Sequence, residues 1–76
     1  MTRVRKNIAR KLWNEGKSLI MLPCNVRVDN MYGLGYESNK DDEGAQGYTF
    51  DEVVNIFESY NCNIGLGRYT AFYMAD

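Results

Sequence analysis

The sequence contains no histidine, so it lacks the side chain that most often acts as a general acid or base. Two cysteines, Cys24 and Cys62, offer too few soft ligands for a zinc site when histidine is absent. Adjacent carboxylates occur in a polar loop at 41–43 and in a predicted first helical turn at 51–52. We therefore predict a non-enzymatic protein without catalytic residues, metal site or cofactor.

Long apolar runs are also missing, since none approaches the roughly 18 residues that a membrane helix needs. The N-terminus carries positive charge but no apolar segment of the kind that forms a signal peptide. These absences predict a cytoplasmic protein with no membrane partner. In that compartment Cys24 and Cys62 are expected to be reduced and to lie in or near the core, although one disulfide remains open.

What the chain does have is apolar and aromatic content typical of a folded domain. Its 76 residues are 45% hydrophobic and 13% aromatic, with six tyrosines. A chain of this length forms one domain whose core supplies only about 3 to 5 kcal/mol of net stability. Aromatic burial or a partner protein must contribute the rest.

Charge is unevenly distributed along the chain. Residues 1–17 contain six cationic side chains and one acid, whereas residues 18–76 contain three cations and nine acids. The formal net charge of −1 conceals this asymmetry. The two parts are therefore electrostatically complementary, either to each other or to separate partners.

Residues 48–62 carry the clearest secondary-structure signal. Thr49 and Glu52 have the spacing of a capping box, in which each side chain binds the backbone amide of the other residue. Apolar residues then recur at steps of three and four, with Ile56 widening the stripe: Phe50, Val53, Val54, Phe57 and Tyr60 or Asn61. We predict a helix over about 50–61 on which the other elements pack.

Changes in the spacing of apolar residues along the sequence predict the remaining helices and strands. A basic helix is predicted over about 3–15 and ends at Gly16, and strands are predicted over about 18–28, 31–38 and 68–74. The order α-β-β-α-β predicts a single α+β domain, 1–76, in which two helices pack on one face of a three-stranded sheet. If the second helix crosses between parallel strands, the first strand lies between the other two.

Two segments leave their roles open. The acidic run Asp41, Asp42 and Glu43 lies in a polar loop, so it is either a solvated connector or a contact loop that mimics phosphates. The last strand places Tyr69, Ala71 and Tyr73 on one face. Either this strand is covered on both sides, or its tyrosine face is an exposed binding surface.

Two segments of the sequence resemble known proteins. IARKLWNEGKSLIMLPCNVRV, from Ile8 to Val28, and FDEVVNIFESYNCNIGLGRYTAFY, from Phe50 to Tyr73, resemble small accessory proteins of phages and conjugative elements of low-GC Gram-positive bacteria. The region 29–47 has no counterpart, and the resemblance brings no active site. It implies a protein in the host bacterial cytosol that binds host defence machinery, as anti-CRISPR and antirestriction proteins do.

The leading functional hypothesis is therefore a non-catalytic inhibitor that binds a host defence nuclease, most concretely a CRISPR effector. Acidic residues would face a basic groove of the effector, and tyrosines would anchor the contact. The predicted partner-binding residues are Asp29, Tyr32, Tyr36, Glu37, Asp41, Asp42, Glu43, Tyr69 and Tyr73.

Two alternatives belong to other classes. Arg3, Lys6 and Arg10 recur on one side of the predicted first helix, which is the arrangement of a small nucleic-acid-binding or regulatory module. The third hypothesis is a self-associating structural subunit, a homodimer in which the basic helix docks on the acidic face of a second copy.

Overall fold

The computed structural model describes residues 1–30 and 34–74, which form strands and helices in the order β-α-β-β-α-β. Short 3₁₀ turns lie at Val28–Asn30 and Glu43–Ala45. The six main elements are β1 (Thr2–Val4), α1 (Lys6–Asn14), β2 (Leu19–Pro23), β3 (Tyr36–Ser38), α2 (Phe50–Asn63) and β4 (Thr70–Met74).

The sheet has four strands in the order β1-β4-β2-β3, and every neighbouring pair is antiparallel. Because β1 and β2 both run antiparallel to β4, they are parallel to each other, and the same reasoning makes β3 parallel to β4. Each helix therefore joins two parallel strands that have one strand between them, an arrangement known as a split βαβ unit. The α+β class and the central position of β2 are confirmed, whereas the prediction of three strands is wrong.

The missed strand is β1, at the start of the chain. The sequence predicted a helix from about residue 3, but Thr2–Val4 pairs with Met74 to Phe72 of β4, and α1 begins at Lys6. Val4 packs against the hydrophobic core from this strand position. Pairing with a strand about 70 residues away thus overrides the local helical pattern.

The predicted strands over 18–28, 31–38 and 68–74 are shorter in the structure. β2 ends at Pro23, whose carbonyl accepts a hydrogen bond from the Val26 amide in a turn. The alternating pattern that follows Pro23 therefore does not continue the strand. β3 covers only Tyr36–Ser38, and residues 31–33 lie outside the described part of the chain. Cys24 and Cys62 form no disulfide, in agreement with the expected reduced state, but both are exposed, so their predicted location in or near the core is wrong.

Both helices pack on the same face of the sheet, as predicted. Leu19 and Met21 of β2 and Phe72 of β4 point to this face and form one buried cluster with the helices. The helix residues of the cluster are Ala9, Trp13, Phe50, Val53 and Val54. The Trp13 indole N–H donates to the Ser38 hydroxyl over 3.0 Å, so the one polar atom of the buried tryptophan is satisfied.

Glycine ends both helices through the same backbone motif. Gly16 and Gly65 have φ of +80° and +81°, a conformation in which glycine carries no steric penalty. The amide after each glycine bonds a carbonyl in the last helical turn: Lys17 to Leu12 over 3.0 Å, and Leu66 to Asn61 over 2.8 Å. These are Schellman caps, and they set the direction in which the chain leaves each helix.

The predicted capping box at the start of α2 is confirmed. The Thr49 hydroxyl accepts from the Glu52 amide over 3.2 Å, and the Thr49 amide donates to the Glu52 carboxylate over 2.9 Å. We expect Thr49→Ala to lower the free energy of unfolding by about 1 kcal/mol, because one amide of the first turn loses its acceptor. Urea denaturation of Thr49→Ala and Thr49→Ser checks this, since serine keeps the hydroxyl. Equal losses in both variants would show that the cap is not the cause.

Candidate functional site: an apolar groove beside an edge strand

Helix α2 presents a second apolar stripe next to the one that enters the core. Ile56, Tyr60 and Ile64 recur at steps of four, and their exposed fractions are 56%, 63% and 51%. Together with the core stripe they give α2 an apolar arc of roughly 160°, whereas a helix packed on one surface needs only about 100°. The outer part of this arc faces solvent.

The second stripe forms one wall of a groove between α2 and the edge strand β3, which we call the α2–β3 groove. Two adjoining depressions of about 410 and 270 Å³ make up the groove, and both are lined by Tyr36, Phe57 and Tyr60. The Tyr36 ring stacks on Phe57 with 6.0 Å between centroids and 23° between planes. The other lining residues are Gly44, Tyr48, Val53 and Ile56 on one side and Leu34, Gly35, Asn61, Ile64 and Leu66 on the other.

One buried polar atom in the groove wall has no partner. Asn61 is only 3% exposed, and its side-chain amide nitrogen makes no hydrogen bond within the described part of the chain. A buried donor without an acceptor costs about 1 to 3 kcal/mol, so such groups are rare in folded proteins. The Asn61 amide is therefore a donor that an acceptor from a bound molecule could satisfy.

Acidic side chains are concentrated in the part of the sequence that contains α2. Residues 41–67 contain six acids and no lysine or arginine. Of these six acids, only Asp51 has a cationic partner within residues 1–30 and 34–74. The Arg10 guanidinium of α1 binds the Asp51 carboxylate at 2.9 Å and lies 5.6 Å from the centre of the Phe50 ring. The basic N-terminal segment thus neutralises one acid at the start of α2 and leaves the others uncompensated.

The acidic run in the loop is an ordered turn. The Asp42 carboxylate accepts from the Asn39 amide over 3.0 Å, and the Asp41 amide donates to the Asn39 side chain over 2.8 Å. Ala45 ends this turn and is buried in the core. Glu43 is exposed next to Gly44, which lines the groove.

No group of three acids or cysteines within the described ranges is placed to hold a metal ion.

The other predicted partner-binding residues do not form one surface. Tyr36 faces the helices, whereas Glu37 and Tyr73 lie in one row on the opposite face of the sheet, with Ile20 between them. Tyr69 precedes β4 and is 73% exposed. Asp29 belongs to the first 3₁₀ turn, 3.5 Å from Arg27, and Tyr32 lies outside the described residues. The structure thus brings only Tyr36 into the groove and Glu43 beside it.

The predicted row of cations for nucleic acid is wrong in its geometry. Arg3 belongs to β1 and is aligned with Tyr73 on the sheet face away from the helices. Lys6 is the first residue of α1, and Arg10 is held by Asp51. Because Arg3 is not helical, these three side chains do not share one helix face.

Sequence reasoning missed the groove residues Tyr48, Ile56, Tyr60 and Ile64 as a binding surface. The steps of four between Ile56, Tyr60 and Ile64 are visible in the sequence. The helical pattern predicts Ile56 and Tyr60 as part of the core stripe, because an apolar arc on a helix has the same signal whether it is covered or open. Ile64 lies beyond the predicted end of the helix at about residue 61. Only the edge position of β3 leaves this side of α2 uncovered.

Within the described residues no helix is long and apolar enough to cross a membrane. The chain matches no protein-family model, no curated protein and no solved structure.

Proposed function

We propose that this protein acts by binding another protein through the α2–β3 groove and that it catalyses no reaction. The observation that carries the proposal is the clustering of large exposed apolar side chains there, including Tyr48 and Tyr60 at 48% and 63% exposure. Single exposed apolar residues are ordinary on protein surfaces, but a contiguous patch of them is typical of an interaction site. Tyrosine in particular is enriched at the energetic centres of interfaces.

The proposed partner is a host defence nuclease, most concretely a CRISPR effector. The resemblance to accessory proteins of mobile elements supports this target class. The acidic stretch 41–67 supports it independently, because effectors hold the guide and target strands in a positively charged channel. An apolar groove with the exposed Glu43 beside it, in a chain segment rich in acids, is complementary to such a channel and would compete with nucleic acid for it.

A second copy of the chain is a poorer occupant of the groove. An isologous dimer places the same patch of both subunits in contact. The exposed Glu43 beside each groove would then approach its counterpart, with Arg10 already engaged by Asp51. Like charges in an interface oppose association, so the charge distribution favours a basic partner over self-pairing.

A plasmid-interference assay tests the proposed target. Bacteria that express a CRISPR nuclease and a matching guide receive a target plasmid, with or without this protein. We expect plasmid survival to rise with at least one nuclease of a panel that spans the DNA-cleaving types. Val54→Asp is the control, since Val54 is fully buried and a charge there disrupts the core. Loss of the plasmid with every nuclease would reject a CRISPR effector as the target.

A further inference from the structure

We propose that the α2–β3 groove takes an extended segment of the partner that adds to the sheet as a strand beside β3 and alternates apolar residues with lysine or arginine. This inference rests on the proposed function and specifies the form and chemistry of the bound segment. It combines four features: a sheet edge, a pair of apolar depressions, an unpaired buried donor, and the exposed acids Glu37 and Glu43 near that edge.

The sheet edge is supplied by β3. Its neighbour in the sheet is β2, so its other side faces away from the sheet at the groove. An edge strand presents backbone N–H and C=O groups that can pair with an incoming strand. Recognition modules that bind peptides by strand addition use this geometry: main-chain hydrogen bonds supply affinity, and pockets for alternate side chains supply specificity.

The two edges of the sheet differ in what surrounds them. The depression beside β1, at the opposite edge, is lined by Arg3, Arg5 and Lys6, without an aromatic ring other than Phe72. Beside β3 the wall is aromatic, and the neighbouring stretch 41–67 is acidic. The two edges therefore suit different ligands, and an apolar segment with positive charge fits only the edge at β3.

The two adjoining depressions can receive alternate side chains of an added strand. Alternate side chains of an extended segment point to the same side and lie roughly 6.4 to 6.8 Å apart. On the helix side of the sheet, successive apolar side chains of an added strand would enter the two adjoining depressions, whose shared wall contains Tyr36, Phe57 and Tyr60. Gly35 and Gly44 line the groove without side chains, which leaves room for a second backbone to approach.

Polar groups fit the same occupant. The unpaired side-chain amide of Asn61 can donate to a backbone carbonyl of the added segment, which would remove the cost of a buried donor without an acceptor. On the other face of the sheet, the exposed Glu37 of β3 would lie directly across from an outward-pointing residue of the added strand. Opposite charges in such cross-strand pairs are favourable, so this residue is expected to be lysine or arginine.

A synthetic peptide tests the inference without knowledge of the partner. The probe is a blocked nine-residue peptide that alternates lysine with valine and isoleucine, titrated into the ¹⁵N-labelled protein. We expect saturable binding, shifts of the amide signals of 36–38 and slower hydrogen exchange at these positions. A peptide with proline at two central positions is the matched control. It is expected to bind at least about tenfold more weakly, because proline cannot donate to a strand ladder.

Reversing the charge of Glu37 provides a second test of the inference. Glu37→Lys is expected to weaken binding of the lysine peptide about tenfold and to favour a peptide with glutamate in place of lysine. Equal binding of the proline peptide, an unchanged preference in Glu37→Lys, or no saturation by about 1 mM of the lysine peptide would overturn strand addition. Plasmid protection judges the proposed function separately, so protection without peptide binding rejects this inference alone.

Discussion

Replacing Phe50 by alanine is expected to lower the free energy of unfolding by about 3 to 5 kcal/mol, the usual cost of removing a fully buried phenylalanine. Phe50 is 2% exposed and occupies the centre of the aromatic core. Its ring lies 5.9 Å from that of Trp13 and 5.7 Å from that of Phe72, so it joins α1, α2 and β4 at one point. In a domain of 76 residues this loss is comparable to the whole net stability.

Two smaller effects act in opposite directions on the free energy of unfolding, and neither changes this expectation. Alanine is the better helix former, but its advantage over phenylalanine is only a few tenths of a kcal/mol. The Arg10 guanidinium above the Phe50 ring adds to the loss, by about 0.5 to 1 kcal/mol at a partly exposed position. Burial of the ring therefore dominates the balance.

Urea denaturation followed by circular dichroism measures the effect. Phe50→Leu is the matched control, since it retains most of the buried apolar volume and is expected to lose much less stability. A variant Phe50→Ala that unfolds within about 1 kcal/mol of the original protein would contradict the packing of α2 on the sheet through this side chain. In that case the core would have to be organised around other residues.

Replacing Ile56 by glutamate is expected to weaken partner binding at least about a hundredfold, which corresponds to about 2.7 kcal/mol. Ile56 lines the larger depression of the groove, and a carboxylate placed there would be desolvated by any apolar ligand. The added negative charge would by itself attract a basic partner, so the expected loss comes from the apolar contact alone. Because Ile56 is 56% exposed, the free energy of unfolding should change by only about 0.5 kcal/mol.

The neighbouring position provides a matched control. Asn55→Glu introduces the same charge one residue earlier, at an exposed position that lines neither depression. Protection in the interference assay, and affinity for the lysine peptide, should be lost in Ile56→Glu and retained in Asn55→Glu. Equal loss in both variants would contradict a basic partner, because added negative charge should attract one, and full activity of Ile56→Glu would place the binding surface elsewhere.

Much of α2 could be predicted from the sequence because its determinants are local. The capping box between Thr49 and Glu52 spans three residues, and the Gly65 cap follows from the preference of glycine for positive φ. The buried stripe of Phe50, Val53 and Val54 depends only on helical periodicity. These features depend on residues close together in the sequence, so they predict the helix without knowledge of the rest of the fold.

The first strand could not be predicted in the same way. Residues 2–4 are too few to show a period, and their partner lies at the other end of the chain. The spacing of Arg3, Lys6 and Arg10 therefore predicts one helix, although Arg3 belongs to a strand. The same limitation applies to β2. After Pro23 the Cys24 amide still donates to the Tyr69 carbonyl, but within residues 1–30 and 34–74 the alternating segment 24–28 belongs to no strand.

By itself, the sequence determined two capped helices, the residues that α2 buries, the α+β class and the concentration of acids in residues 41–67, because each follows from local spacing or simple composition. Only the tertiary structure decided that β3 lies at an edge, that Tyr36 stacks on Phe57, and that Ile56 and Tyr60 stay uncovered. The physical reason is that the exposure of an apolar side chain depends on which distant element lies against it. Its own position in a helical repeat does not contain that information.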